Sequence, residues 1–302
     1  MLMTRRVPNS LSIAIDAMAD LMIATTTMAA ASVGLATVCG WKGYPRSGQS
    51  TILALTIAVS AMFAFLFYAA GRLYWARWIP DSAVIAWSNL TPLFAAAATG
   101  WVFRLPNTPL WRRATLAGLL GLACLAAVLW PFLGIWLRPT LPAGHKVVRG
   151  ITRQTSWATC SPAAASTFFR FSGIEATEAA LIPLCLTDAS GTPTLGLYRG
   201  VKRIANQQGR DAQAVLMSMD ELEKNHAWPL LIMVKLPEAG FRESTYVTEW
   251  GWVPGLGHTV VILGRNEEGH YAIGDPAVGA ELWSAADLNV LWHGDAIRLV
   301  TD

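Results

Sequence analysis

The stretch Gln154-Thr155-Ser156-Trp157-Ala158-Thr159-Cys160-Ser161-Pro162-Ala163-Ala164-Ala165 decides how the C-terminal half of this chain is read. A cysteine stands directly before Ser-Pro and an alanine run, with a glutamine six residues ahead of it. Serine is a natural N-cap and proline suits the first helical position, so the pattern predicts a helix over Pro162–Phe171 with Ser161 as its cap. Cys160 then sits at the positive end of that helix, where partial charge favours the thiolate, the attacking form of cysteine. Far downstream come Gly257-His258-Thr259-Val260-Val261-Ile262-Leu263-Gly264 and Gly274-Asp275-Pro276. A histidine at a strand start exchanges protons near neutral pH, and a carboxylate on an adjacent strand would fix its tautomer and direction. The Gln154 amide and the Cys160 N–H are candidate donors to a developing oxyanion, each worth roughly 3 kcal/mol when correctly aimed.

Taken singly, these residues are ordinary. A cysteine before a helix is usually a small buried hydrophobe, and Asp-Pro commonly opens a turn. Their conjunction in this order carries the reading: Gln154 as oxyanion donor, Cys160 as nucleophile, His258 as base and Asp275 as orienting carboxylate. Zinc is the rival use of Cys and His. His145, His226, His258, His270 and His293, with Cys160 and Cys185, show no paired short spacing of the kind a structural zinc site uses. No cofactor is expected.

The rest of this half mixes short helices and strands. Thr177–Pro183 and Thr194–Gln208 read as helices, and Leu230–Leu236, Thr259–Leu263, His270–Gly274 and Ala296–Val300 as strands. Helices come first and strands later, which predicts an α+β domain with a mostly antiparallel sheet. The interval Pro237–Gly257, with Phe241, Tyr246, Trp250, Trp252 and Val253, reads either as a flap against substrate or membrane or as a packed loop.

Residues of about 148–300 resemble the bacteriocin-processing, double-glycine-leader cysteine peptidases, a papain-like family. The resemblance rests on Gln154 with Cys160, Leu184-Cys185-Leu186-Thr187 followed by Gly191-Thr192, Gly257-His258-Thr259, Asp275-Pro276-Ala277 and the late Leu291-Trp292-His293-Gly294. It implies a papain-like fold, a peptide or protein substrate and the four site roles given above. The family commonly has an acid before the cysteine and glycine after it; this chain has Thr159 and Ser161. In the family's exporters the peptidase precedes membrane helices and an ATPase. Here it follows the apolar segments, and no Gly-x-x-x-x-Gly-Lys-Ser/Thr loop is present, so a separate exporter is the implied partner.

The N-terminal half is built differently. The chain has 302 residues, of which 53% are hydrophobic and 14% charged, against about a quarter charged in soluble proteins. Residues 1–145 carry ten Lys/Arg and three Asp/Glu; residues 146–302 carry thirteen and seventeen. Four uncharged runs fill the first part: Leu21–Trp41, Ser50–Gly71, Ser82–Phe103 and Ala114–Leu137. Each is long enough to cross the hydrocarbon core as a helix, and tryptophans cluster near their ends. The expected architecture is therefore a four-helix transmembrane bundle over 1–145, followed by an α+β papain-like cysteine peptidase domain over 146–302. The lipid bilayer is the implied partner of the first part. No basic patch with interleaved aromatics supports nucleic-acid binding.

Lys/Arg counts near the runs give eight on the side of the termini (Arg5, Arg6, Arg72, Arg77, Arg138, Lys146, Arg149 and Arg153). The other side has five (Lys42, Arg46, Arg104, Arg112 and Arg113). This favours cytoplasmic termini and a cytoplasmic peptidase domain, in a multi-pass protein of the bacterial inner membrane. Reducing conditions there suit an active thiol. Asp16 and Asp20 share one helix face at i,i+4 and read as wet carboxylates of an interfacial segment, Ser10–Asp20, rather than an intramembrane ion site. Two other readings remain at this level: a peptidase-derived domain that binds a peptide without cutting it, and a bundle with its own transport role.

Overall fold

The computed structural model describes residues 10–41, 47–140, 144, 146–224, 227–240 and 244–300, with side chains from residue 18 onward. Arg5, Arg6, Lys42, Arg46, His145, His226 and Phe241, used in the reading above, lie outside the described residues, as does the Asp16 side chain. The chain forms two compact units. One comprises Met1–Arg72 with Ala83–Leu133, the other Leu73–Ser82 with Gly134–Asp302.

The first six helices are α1 (Ser10–Trp41), α2 (Gly48–Tyr68), α3 (Tyr74–Trp78), α4 (Val84–Trp87), α5 (Thr91–Val102) and α6 (Leu110–Leu137). Three segments are long and apolar enough to cross a membrane: Met18–Trp41, Gly48–Tyr68 and Leu110–Leu137. They turn Ile23, Val33, Leu53, Phe67, Leu119 and Leu122 outward. Asp20 lies within the first of these segments, and α1 runs through it without a break.

The run expected as a further span, Ser82–Phe103, is divided into α4 and α5. Asn89 makes the division. Its side-chain oxygen accepts from Thr91 N–H at 3.2 Å, and its amide donates to the Ala127 carbonyl at 2.9 Å. Pro92, which has no N–H to give, stands in the first turn of α5. The 12 residues of α5 extend about 18 Å, well short of a roughly 30 Å hydrocarbon core. Small residues let α5 approach α1 at backbone distance: a Cβ on Gly100 would stand 2.3 Å from the Ala36 carbonyl and 2.7 Å from Cys39 Cβ.

The second unit begins with α3, which packs along a strand formed much later in the chain. The end of α6 is fixed by the Arg138–Asp188 ion pair at 2.7 Å and by Ala189 N–H on the Arg138 carbonyl. Then follow a hairpin of β1 (Val147–Val148) and β2 (Ile151–Thr152), α7 (Cys160–Phe171), α8 (Glu178–Leu184) and α9 (Thr194–Gln207). After them come β3 (Asp211–Leu216), α10 (Met219–Glu223), β4 (Leu230–Lys235), α11 (Thr245–Thr248), β5 (Gly257–Arg265), β6 (Tyr271–Asp275), β7 (Gly279–Trp283), α12 (Ala285–Leu291) and β8 (Trp292–Val300).

The six strands β3 to β8 form one sheet in the order β3-β8-β4-β5-β6-β7, antiparallel at every pairing. This is the α+β architecture expected from sequence. Ile232, Val234, Val260, Ile262, Tyr271 and Ile273 pack with Leu222, Leu288 and Leu291 in one continuous core. The central helix α7 lies against β5 and buries Ala163, Ala164, Ala165, Phe168 and Phe169. Each buried phenyl contributes roughly 1.5–3 kcal/mol. That packing fixes the first turn of α7, and Cys160 with it.

Candidate active site

Cys160 is the first residue of α7, so the helix starts two residues earlier than the Pro162 start expected with Ser161 as its cap. A 3-10 turn, Trp157–Thr159, leads directly into it. Thr159 explains the difference. Its hydroxyl accepts from Ser156 N–H at 3.1 Å and donates to the Ser156 carbonyl at 3.0 Å, and its side chain is fully buried. The cysteine is thereby placed in the first turn, where backbone N–H groups have no acceptor within the helix.

His258 is the second residue of β5 and Asp275 the last of β6, its neighbouring strand. His258 Nε2 lies 3.0 Å from both Asp275 carboxylate oxygens. Asp275 is in turn held by Ala277 N–H at 2.6 Å and Val278 N–H at 3.3 Å. With Nε2 committed to the carboxylate, Nδ1 is the ring nitrogen left for the thiol. Cys160 and His258 are electrostatically coupled, each shifting the other's protonation.

The electrostatics follow from that contact. Burial by itself pushes the Cys160 thiol up, but the His258 hydrogen bond and charge, with smaller help from Ser161 and the Thr259 backbone, hold it below the ordinary thiol value. Burial lowers His258, yet its bonds to Asp275 and Cys160 overcome this and raise it to about 10. Both shifts act in the direction of a thiolate–imidazolium pair. Cys185 behaves oppositely: wholly enclosed, its thiol is pushed up to about 12 by burial. Its sulfur fills the space beside Gly200, where a Cβ would stand 2.3 Å away.

Gln154 lies in the irregular segment between β2 and the 3-10 turn. Its N–H donates to the Pro276 carbonyl at 2.9 Å, next to Asp275. Its amide oxygen is enclosed and has no hydrogen-bond partner among the described residues. Hydrogen bonds thus join His258 to Asp275 and the Asp275-Pro276 turn to Gln154, while Cys160 and His258 are coupled through their charges. Among the described residues no group of three or more His, Cys, Asp or Glu is arranged to hold a metal ion.

Three further groups lie beside these residues. Ser161 Oγ pairs with Thr259 Oγ1. Trp252, noted only as part of the Pro237–Gly257 interval, stands edge-on to the His258 ring at 5.7 Å and 84° and also meets Trp283. It is held there by its N–H on the Tyr246 carbonyl, while Tyr246 hydroxyl donates to Asp287 at 2.9 Å. The described part of that interval is therefore fastened to the core, with Trp250, Val253 and Leu256 exposed. Glu281 on β7 is the third. Burial and then the Asp275 charge hold its carboxyl above the usual range.

No family model matches the chain. It is 40% identical over 76 residues to an uncharacterised protein of Methanothermobacter marburgensis, covering 25% of this chain and 51% of that protein. The chain thus spans about half the length of that relative. It is 31% identical over 129 residues to an uncharacterised protein of Methanothermobacter thermautotrophicus, covering 43% of this chain and 72% of that one. The chain belongs to one family with the Methanothermobacter thermautotrophicus protein.

Among solved structures, its neighbours are peptidase domains of ComA-type and double-glycine-motif transporters. The peptidase domain of Streptococcus ComA, a bi-functional ABC transporter involved in a quorum-sensing pathway, aligns at 22% identity with a TM-score of 0.39, over 50% of this chain and 96% of that domain. A double glycine motif protease from an AMS/PCAT transporter, in complex with its leader peptide, aligns at 16% and 0.38, over 55% and 97%. The Streptococcus mutans ComA peptidase domain aligns at 22% and 0.34, over 49% and 96%.

Proposed function

We propose that this chain is a membrane-anchored cysteine peptidase that hydrolyses peptide bonds in a peptide or protein substrate. Residues 146–302 would carry the catalytic site and 1–145 the anchor in the lipid bilayer. One observation carries the reading: a histidine whose Nε2 is held 3.0 Å from both oxygens of a buried aspartate is coupled in charge to a cysteine at the start of a buried helix. A buried cysteine serving only as packing has no use for such partners.

In this reading Cys160 thiolate adds to the scissile carbonyl carbon, and the carbonyl π pair moves to oxygen. The Gln154 amide and the N–H groups of the first turn of α7 receive that charge. Collapse of the adduct expels the amine, which takes its proton from His258 and leaves a thioester on Cys160. Water then attacks the thioester as His258 removes its proton. The carboxylate product departs and the thiolate–imidazolium pair is restored. Asp275 keeps the ring aimed throughout.

The resemblance to leader-processing peptidases extends the proposal to double-glycine leader peptides as substrate and a separate exporter as partner. The Lys/Arg count extends it to an inner-membrane protein with a cytoplasmic catalytic domain. The test is labelling of the membrane-embedded protein with an iodoacetamide probe near neutral pH. Rapid labelling that vanishes in Cys160→Ala and slows in His258→Ala supports the reading. An ordinary thiol profile indifferent to His258 would sink it.

A further inference from the structure

Glu178 is a fully buried carboxylate that the site described above does not use. It is the first residue of α8, yet that helix is already capped by Thr177, whose hydroxyl accepts from Ala180 N–H at 3.2 Å. The Glu178 side chain instead reaches back along the sequence. One oxygen accepts from Thr155 N–H at 3.0 Å and from Thr155 hydroxyl at 3.1 Å. The other oxygen is enclosed and has no partner among the described residues.

Thr155 follows Gln154 in a segment with no strand or helix of its own, so its path depends on individual bonds. The backbone N–H groups from Thr152 to Ser156 are all engaged. In order, they donate to Thr167 hydroxyl, Lys146 carbonyl, Pro276 carbonyl, Glu178 carboxylate and Thr159 hydroxyl. The Glu178 acceptor takes two bonds from one residue, the N–H and the hydroxyl of Thr155. Burying a polar side chain is costly unless it is hydrogen-bonded, and among the described residues its bonds all go to Thr155.

We infer that Glu178 is a positioning residue for the oxyanion side of the site: it fixes the backbone that aims the Gln154 amide. The inference rests on the peptidase reading and predicts a specific split. Attack on a carbonyl depends on Glu178, because an oxyanion forms. Displacement at the saturated carbon of iodoacetamide does not, because none forms.

The experiment compares two reactions of Cys160 in the purified full chain: acetylation by 4-nitrophenyl acetate, which releases nitrophenolate, and alkylation by iodoacetamide. Glu178→Ala should slow acetylation about tenfold and leave alkylation within about twofold, given that a lost oxyanion donor itself costs roughly 100-fold or more. Glu178→Gln, which keeps an acceptor of the same shape, should recover most of the acetylation rate. Adding Glu178→Ala to Gln154→Ala should cost nothing further.

Equal slowing of both reactions, unchanged acetylation, or losses that multiply with Gln154→Ala would overturn the inference. If Glu178→Ala does not fold, Thr155→Val, which removes one of the two bonds, should slow acetylation alone by about threefold; no change would also overturn it. The peptidase reading fails separately, and this inference with it, if the wild-type chain alkylates no faster than His258→Ala.

Discussion

Ser161 Oγ and Thr259 Oγ1 lie 2.8 Å apart in the buried interior, joining the residue after the candidate nucleophile to the residue after the candidate base. The pair also explains how a serine is accommodated where the resembling family commonly has glycine. Ser161 hydroxyl lies 3.9 Å from the Cys160 sulfur and is one of the groups lowering its pKa. Removing one partner leaves the other hydroxyl buried and unpaired. Ser161→Ala should therefore cost about 1–3 kcal/mol, whereas Ser161→Ala with Thr259→Val should recover most of that loss. Thermal unfolding of the four forms of the cycle measures it; strictly additive losses would show that the bond is not the coupling.

The pH dependence has a definite sign. The thiol is held below its ordinary value and His258 is raised to about 10, so the ion pair exists between the two. Iodoacetamide labelling should switch on with a midpoint below that of a free thiol. In His258→Ala the leading contributions that lower the thiol pKa vanish while burial remains, so the midpoint should move above the free-thiol value. Asp275→Asn removes the support that raises His258, and the alkaline limb of peptide cleavage should move toward neutrality. A midpoint that does not respond to His258→Ala contradicts the ion pair.

Trp252 covers the edge of the His258 ring. Hydrogen bonds shielded from water are stronger, so Trp252→Ala should weaken the His258–Asp275 contact and lower kcat about tenfold. Trp252→Phe, which keeps an aromatic cover, should lose much less. The comparison is read from cleavage kinetics alongside the pH midpoint of labelling, which should rise in the alanine variant only.

In the helical unit, Gly100 and Gly40 face the same contact with different tolerances. A Cβ on Gly100 would meet the Ala36 carbonyl at 2.3 Å, whereas one on Gly40 would stand 3.5 Å from the Gly100 carbonyl. Gly100→Ala should destabilise the detergent-solubilised protein by about 1–3 kcal/mol and Gly40→Ala by well under 1 kcal/mol. Thermal melts of the two variants decide it; equal melts would mean that α5 does not sit this closely on α1.

Much of the C-terminal fold was legible because its signals are local. The apolar β-branched runs around Leu230 and Val260 mark inner strands, and the Cys-Ser-Pro-Ala-Ala sequence marks a helix start. The position of that start was misjudged because Thr159, not Ser161, organises the turn, through a bond to Ser156. Strands β3 and β7 were missed: Asp211-Ala-Gln-Ala-Val-Leu and Gly279-Ala-Glu-Leu-Trp, at the two sheet edges, are weak in β-formers. The divided apolar run carried its own warning in Asn89 and Pro92, which hydropathy over a long window averages away. Glu178, Trp252 and the Ser161–Thr259 pair act across large sequence separations or through side-chain pose, and no local pattern encodes either.

Leu73–Ser82 belongs to the same compact unit as the sheet, and its helix α3 packs along β3, an edge strand. That unit is therefore discontinuous in sequence. A piece synthesised between two apolar helices must wait until more than a hundred further residues have emerged before its binding place, β3 (Asp211–Leu216), exists. Cutting the chain at the end of α6 would release a unit that lacks a strip of its own surface and bares a sheet edge open to pairing with other chains. The sheet's edge and the segment that covers it thus close together only late in synthesis, after all three long apolar helices have been made.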